Sequence, residues 1–129
     1  MRDHNDAWGY VDGFIPPPQA PSAAYYKYVG DRIGTFMAWL SDVQGGGATC
    51  FTNPSAARTV YPKKGAALFW ININRRQEVD PRMIHGSCPV LLGTKWIITR
   101  WMHSYSQWKS WSCGLDTKNE FNIYSHVIN

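Results

Sequence analysis

The sequence predicts an all-β protein, and three observations carry that prediction. Short runs rich in β-branched and aromatic residues recur along the chain, glycine and proline turns punctuate them, and no stretch keeps the 3.6-residue apolar period of a long amphipathic helix. The 129 residues suffice for one modest domain with one core and leave no room for a second. A net charge of +4 with 15% aromatic residues suits a nucleic-acid binder. The lysines and arginines are scattered, however, and no DNA- or RNA-binding signature occurs, so that class is set aside. No apolar run approaches the roughly 20 residues of a membrane span. The opening Met1-Arg-Asp-His-Asn has no apolar core of a signal peptide. Three cysteines, Cys50, Cys88 and Cys113, are an odd count that by itself reads as free thiols.

Residues 1–13 are polar and contain His4-Asn5-Asp6. On an extended segment positions i and i+2 face the same way, so an imidazole and a carboxylate point together. With one more imidazole from a distant strand they complete a facial two-His-one-carboxylate set, which leaves coordination positions open on iron(II). Phe14 to Gly30 carries Pro16-Pro17-Pro18 and Pro21, which forbid a ladder strand and predict a loop insertion.

Arg32 to Val43 is too apolar throughout for an exposed edge and predicts a central strand. Gln44 to Phe51 opens on a glycine cluster that permits a tight turn and close backbone approach, followed by Thr49, Cys50 and Phe51 in strand-forming order. A buried free thiol is the expectation for Cys50. The segment Val60-Tyr-Pro-Lys-Lys-Gly65 reads as a solvated turn, and Ala67 to Asn72 as a buried strand. Arg75 to Met83 is a charged loop that delivers the chain to His85.

The densest chemistry lies in His85 to His103, H-G-S-C-P-V-L-L-G-T-K-W-I-I-T-R-W-M-H. Gly93-Thr94 predicts a two-residue hairpin turn joining Ser87–Leu92 to Lys95–Met102. Strand alternation from Lys95 places Lys95, Ile97, Thr99, Trp101 and His103 on one face. Desolvating an ammonium is costly, so Lys95, flanked by Leu92, Trp96 and Ile97, either reaches water or meets an anion.

These residues resemble the prolyl 4-hydroxylases of the iron(II)- and 2-oxoglutarate-dependent dioxygenases. That family carries H-x-x-C-P-V-x-x-G-x-K-W followed by K/R-W-x-H; its N-R-I-A-T strand, G-G-x-T-x-F turn and A-V-F-W-Y-N strand correspond to runs beginning at Asp31, Gly46 and Ala67. The resemblance implies a double-stranded β-helix, or jelly roll, spanning 1–129 without its N-terminal strands, with 14–30 as an insertion. It implies His85 as an iron ligand, Lys95, Thr49 and His103 as 2-oxoglutarate contacts, and Arg32 and Trp101 as substrate contacts. The partner ligands are His4 and Asp6, unless Tyr10-Val11-Asp12 fills that place or the true pair lies upstream of Met1. The implied reaction couples decarboxylation of 2-oxoglutarate by O2, with L-ascorbate as rescuer of the iron, to hydroxylation of a collagen-like or other proline-rich peptide. A Cys88–Cys113 bridge, the endoplasmic reticulum lumen and a protein disulfide isomerase partner are implied in the same way. The contrasting expectation is a catalytically dead jelly-roll remnant or peptide-binding module with no complete iron site.

Overall fold

The computed structural model describes residues 3–7, 29–74, 76 and 78–105. The proline-rich stretch up to residue 28, Tyr10-Val11-Asp12 and Cys113 lie outside the described residues.

Among the described residues nearly all regular structure is strand: β1 (Arg32–Trp39), β2 (Gly45–Gly46), β3 (Thr49–Phe51), β4 (Arg58–Val60), β5 (Ala67–Ile71), β6 (His85–Ser87), β7 (Val90–Leu92) and β8 (Ile97–His103). A 3₁₀ turn, Pro81–Met83, precedes β6. The apolar reading of β1 holds, because it is the middle strand of an antiparallel β5-β1-β8 sheet. Phe36 lies opposite Phe69 on one side and Arg100 on the other.

A second antiparallel sheet, β4-β3-β6, sets Thr49 against Ser87 and Phe51 against His85. The two sheets face each other in the jelly-roll manner. Met37, Trp39 and Trp70 from the first sheet and Phe51 from the second form the buried core between them. Phe51 meets Trp70 edge-on with ring centroids 5.6 Å apart, an arrangement that adds quadrupole attraction to the area buried.

The expected β7–β8 hairpin does not form. β7 pairs instead with β2, and β8 runs along β1. Gly46 and Gly47 make this possible, with φ of 76° and 70°, and a side chain at Gly46 would run into the carbonyl oxygen of Pro89. Between β7 and β8, Ser41 replaces the ladder partner: its hydroxyl accepts from Trp96 N at 2.9 Å and donates to the Thr94 carbonyl at 2.9 Å.

Candidate active site

Backbone pairing brings two distant parts of the described sequence together. His4 forms an isolated antiparallel bridge with His85, each amide donating to the other's carbonyl at 2.9 Å. The side chain of Asn5 tightens this junction, donating from Nδ2 to the Asp80 carbonyl at 2.9 Å and accepting at Oδ1 from Ala7 N at 2.9 Å. Alternation then aims His4 and Asp6 to the same side as His85.

One ligand atom from each of His4, Asp6 and His85 lies within 4.8 Å of the others. Asp6 Oδ1 is 3.6 Å from His4 Nε2, and Asp6 Oδ2 is 3.7 Å from His85 Nε2. Asp6 and His85 are buried, while the His4 side chain is half exposed. His85 Nδ1 sits 2.8 Å from the Met83 carbonyl, which can only accept. The ring proton is therefore on Nδ1, and the lone pair of Nε2 faces Asp6 and His4. Trp70, edge-on at 4.9 Å, and Phe51 at 5.5 Å hold the ring in place.

The carboxylate has its own support. Thr35 donates its hydroxyl to Asp6 Oδ2 at 2.7 Å and accepts from Asn72 Nδ2 at 3.0 Å. Thr35 and Asn72 are almost wholly buried, at 1% and 0% exposure. Neither was singled out from sequence. The signal was a polar residue at the centre of one apolar strand and another at the end of a second, where burial demands a partner.

Beside the triad opens a cavity of about 150 Å³ lined, among others, by Thr49, Ser87, Lys95, Ile97, Thr99 and Trp101. The predicted one-sided row thus reaches one cavity from Lys95 to Trp101. Lys95 Nζ donates to Ser87 Oγ at 3.0 Å. Burial pushes the Lys95 amine below the usual lysine range, against the charges of Cys88 and Cys50, which act to raise it. A partly desolvated cation facing a small, largely apolar cavity has the chemistry to attract an anion.

The remaining expected residues separate. Arg32 stacks its guanidinium over the Trp101 ring, 3.7 Å from the centroid, so those two stand together. His103 does not line the cavity; it pairs with Arg32 at the end of β8 and sets Nδ1 3.2 Å from the Gly30 carbonyl. Of the expected buried free thiol at Cys50, the thiol is free but the burial is corrected. Cys50 is only partly buried, and its Sγ lies 2.7 Å from Cys88 Sγ because the β3–β6 ladder places both on one face.

Two imidazoles and one carboxylate gathered on a jelly roll form a donor set of the kind found in non-haem oxygenases, and it suits iron(II). The model of the 2OG-Fe(II) oxygenase superfamily matches residues 4–103, and the chain belongs to that family. Within it, the chain is 46% identical over 83 residues to prolyl 4-hydroxylase subunit alpha-2 of Gallus gallus, covering 64% of this chain and 15% of that one. It is 40% identical over 100 residues to subunit alpha-3 of Bos taurus, covering 77% of this chain and 18% of that one. The chain therefore spans less than a fifth of these relatives. Among solved structures, the viral collagen prolyl hydroxylase of Paramecium Bursaria Chlorella virus-1, in its 2OG complex, matches with a TM-score of 0.59 and 25% identity. That match covers 78% of this chain and 50% of the viral one.

Proposed function

We propose that this chain carries the iron(II) and 2-oxoglutarate sites of a prolyl 4-hydroxylase acting on proline-rich or collagen-like peptide. The observation that carries this reading is the convergence of His4, Asp6 and His85 beside a cavity holding Lys95. The chemistry supplied by bound iron(II), 2-oxoglutarate and O2 is decarboxylation to succinate coupled to hydroxylation of a peptidyl proline.

The chain's own residues divide the remaining work. His85 Nε2 and Asp6, each fixed by a hydrogen bond on its far side, would hold the metal with His4. Lys95 would pair with the distal carboxylate of 2-oxoglutarate, with the hydroxyls of Ser87 and Thr49 beside it. Met37, Trp70 and Ile97 furnish apolar wall, which lowers the local dielectric and strengthens that ion pair. Trp101, braced by Arg32, offers a flat face against which a proline ring packs. Ascorbate dependence, an endoplasmic reticulum setting and a protein disulfide isomerase partner belong to the same proposal, by likeness to the family.

Anaerobic titration of the purified chain with iron(II) and 2-oxoglutarate tests it. A metal-to-ligand charge-transfer band that needs both components, and is lost in Asp6→Ala, is the expected result. Folded wild-type protein without the band would instead support a jelly-roll peptide-binding remnant.

A further inference from the structure

The β3–β6 ladder has two faces with different chemistry. Its register pairs Thr49 with Ser87 and Cys50 with Gly86, and Cys88 N donates to the Ala48 carbonyl at 2.8 Å just beyond β6. The side chains of Thr49 and Ser87 thus share the face that lines the cavity, which Gly86 also borders, and those of Cys50 and Cys88 share the opposite face. Cys50 and Cys88 are diagonal neighbours on that second face. Gly86, directly opposite Cys50, has no side chain to keep them apart.

The two sulfurs lie 2.7 Å apart, closer than unbonded sulfur atoms rest. Thr59 Oγ1 is 3.8 Å from Cys50 Sγ, and both cysteines are partly exposed. The hydrogen bond with Cys50 raises the Cys88 thiol above its usual range more than any other influence, while Lys95 pulls the other way.

We propose that Cys50 and Cys88 form a dithiol site that an external disulfide oxidises to an intramolecular bridge across the outer face of the 2-oxoglutarate pocket wall. One cysteine thiolate attacks a sulfur of the external disulfide, expelling one thiolate and leaving a mixed disulfide. The second cysteine, already adjacent, gives up its proton and attacks the protein-side sulfur, expelling the other thiolate. Two protein thiols and one disulfide become one protein disulfide and two small thiols. The bridge fixes the backbone that carries Thr49 to the backbone that carries Ser87, on which Lys95 rests. It also competes for a sulfur with the Cys88–Cys113 pairing that the family resemblance implies, since Cys88 can be bridged only once. The site needs no metal, so it stands apart from the oxygenase reading.

The test uses reduced, desalted full chain incubated with oxidised glutathione, then digested without reductant and mapped by mass spectrometry. A peptide joining Cys50 to Cys88 is expected in wild type and Cys113→Ser and is absent from Cys50→Ala. Oxidation should also raise the melting temperature of wild type reversibly, with dithiothreitol restoring the starting value, and leave Cys50→Ala unmoved. The proposal is overturned by a Cys88–Cys113 peptide with Cys50 still alkylatable, by glutathione remaining on one cysteine without transfer to the other, or by linkage found only between molecules. Should Cys113→Ser fail to fold, the wild-type map decides alone.

Discussion

Thr35 donates its hydroxyl to Asp6 Oδ2 at 2.7 Å and accepts from Asn72, so the carboxylate of the His4–Asp6–His85 cluster is held from the centre of β1. Donation to Asp6 fixes which oxygen and which lone pairs remain for a cation. Outer groups of this kind typically change metal affinity by about 10- to 100-fold. Thr35→Val, which keeps shape but removes the donor, should weaken manganese(II) or iron(II) binding by that order, while Thr35→Ser stays close to wild type. Calorimetric titration measures the affinity, and a thermal melt separates it from loss of fold. Equal affinities in all three proteins would deny Thr35 this role.

Lys95 makes a different prediction. A charge-assisted hydrogen bond contributes about 1.5–3 kcal/mol, so Lys95→Ala should lower 2-oxoglutarate affinity by about tenfold to a hundredfold while metal affinity changes little. Burial has already moved the amine below the usual lysine range. Between that lowered value and the unfolded one, the folded chain carries fewer protons than the unfolded chain, and its stability rises with pH. Affinity for the dianion runs the other way, because only the protonated amine attracts it. Binding of 2-oxoglutarate should therefore fade on the alkaline side earlier than ordinary lysine titration predicts, and Lys95→Arg should flatten that decline.

Asn5 is the middle residue of the His4–Asp6 segment, yet its side chain faces the protein and spans to Asp80. Removing both of its hydrogen bonds in Asn5→Ala should cost about 1–2 kcal/mol of stability, read from urea unfolding. Metal binding should weaken in parallel, because the segment that carries His4 and Asp6 loses its side anchor.

Asp80 caps the turn before β6 and receives Arg82 through both the backbone amide and the guanidinium, at 2.8–3.1 Å. Burial raises the carboxyl, but the Arg82 bonds and charge outweigh it and hold it below the usual carboxylate range. A depressed acid stabilises the fold above its unfolded value, and that stabilisation is lost as pH falls through the folded one. Arg82→Gln should therefore move acid unfolding to higher pH, while leaving the midpoint at neutral pH less affected than Asp80→Ala does.

Much of this site was legible in the chain because its chemistry breaks local patterns. Lys95 among Leu92, Trp96 and Ile97 violates the apolar run around it, and period-two alternation correctly joined it to Ile97, Thr99 and Trp101. The apolar character of β1 marked it as central. What the sequence concealed was pairing at a distance. Gly93-Thr94 carries a sound local hairpin signal, but Gly45 and Gly46 offer β7 a closer backbone than β8 can, and tertiary pairing overrides turn preference. Had the hairpin formed, Lys95 would sit far from His85; its absence lets both line one cavity. Thr35, Asn72 and Asn5 stayed hidden because threonine in a strand and asparagine at its end are ordinary residues until their partners are known.

The bridge between His4 and His85 joins positions far apart in the chain, as does the Asn5–Asp80 contact across 75 positions. A ribosome must release most of the described residues before His85 can meet His4 and Asp6. Iron would then be captured only by a finished β-structure, and once captured it would act as a clasp on the leading segment. Stripping it with a chelator should make that segment the first place a protease cuts.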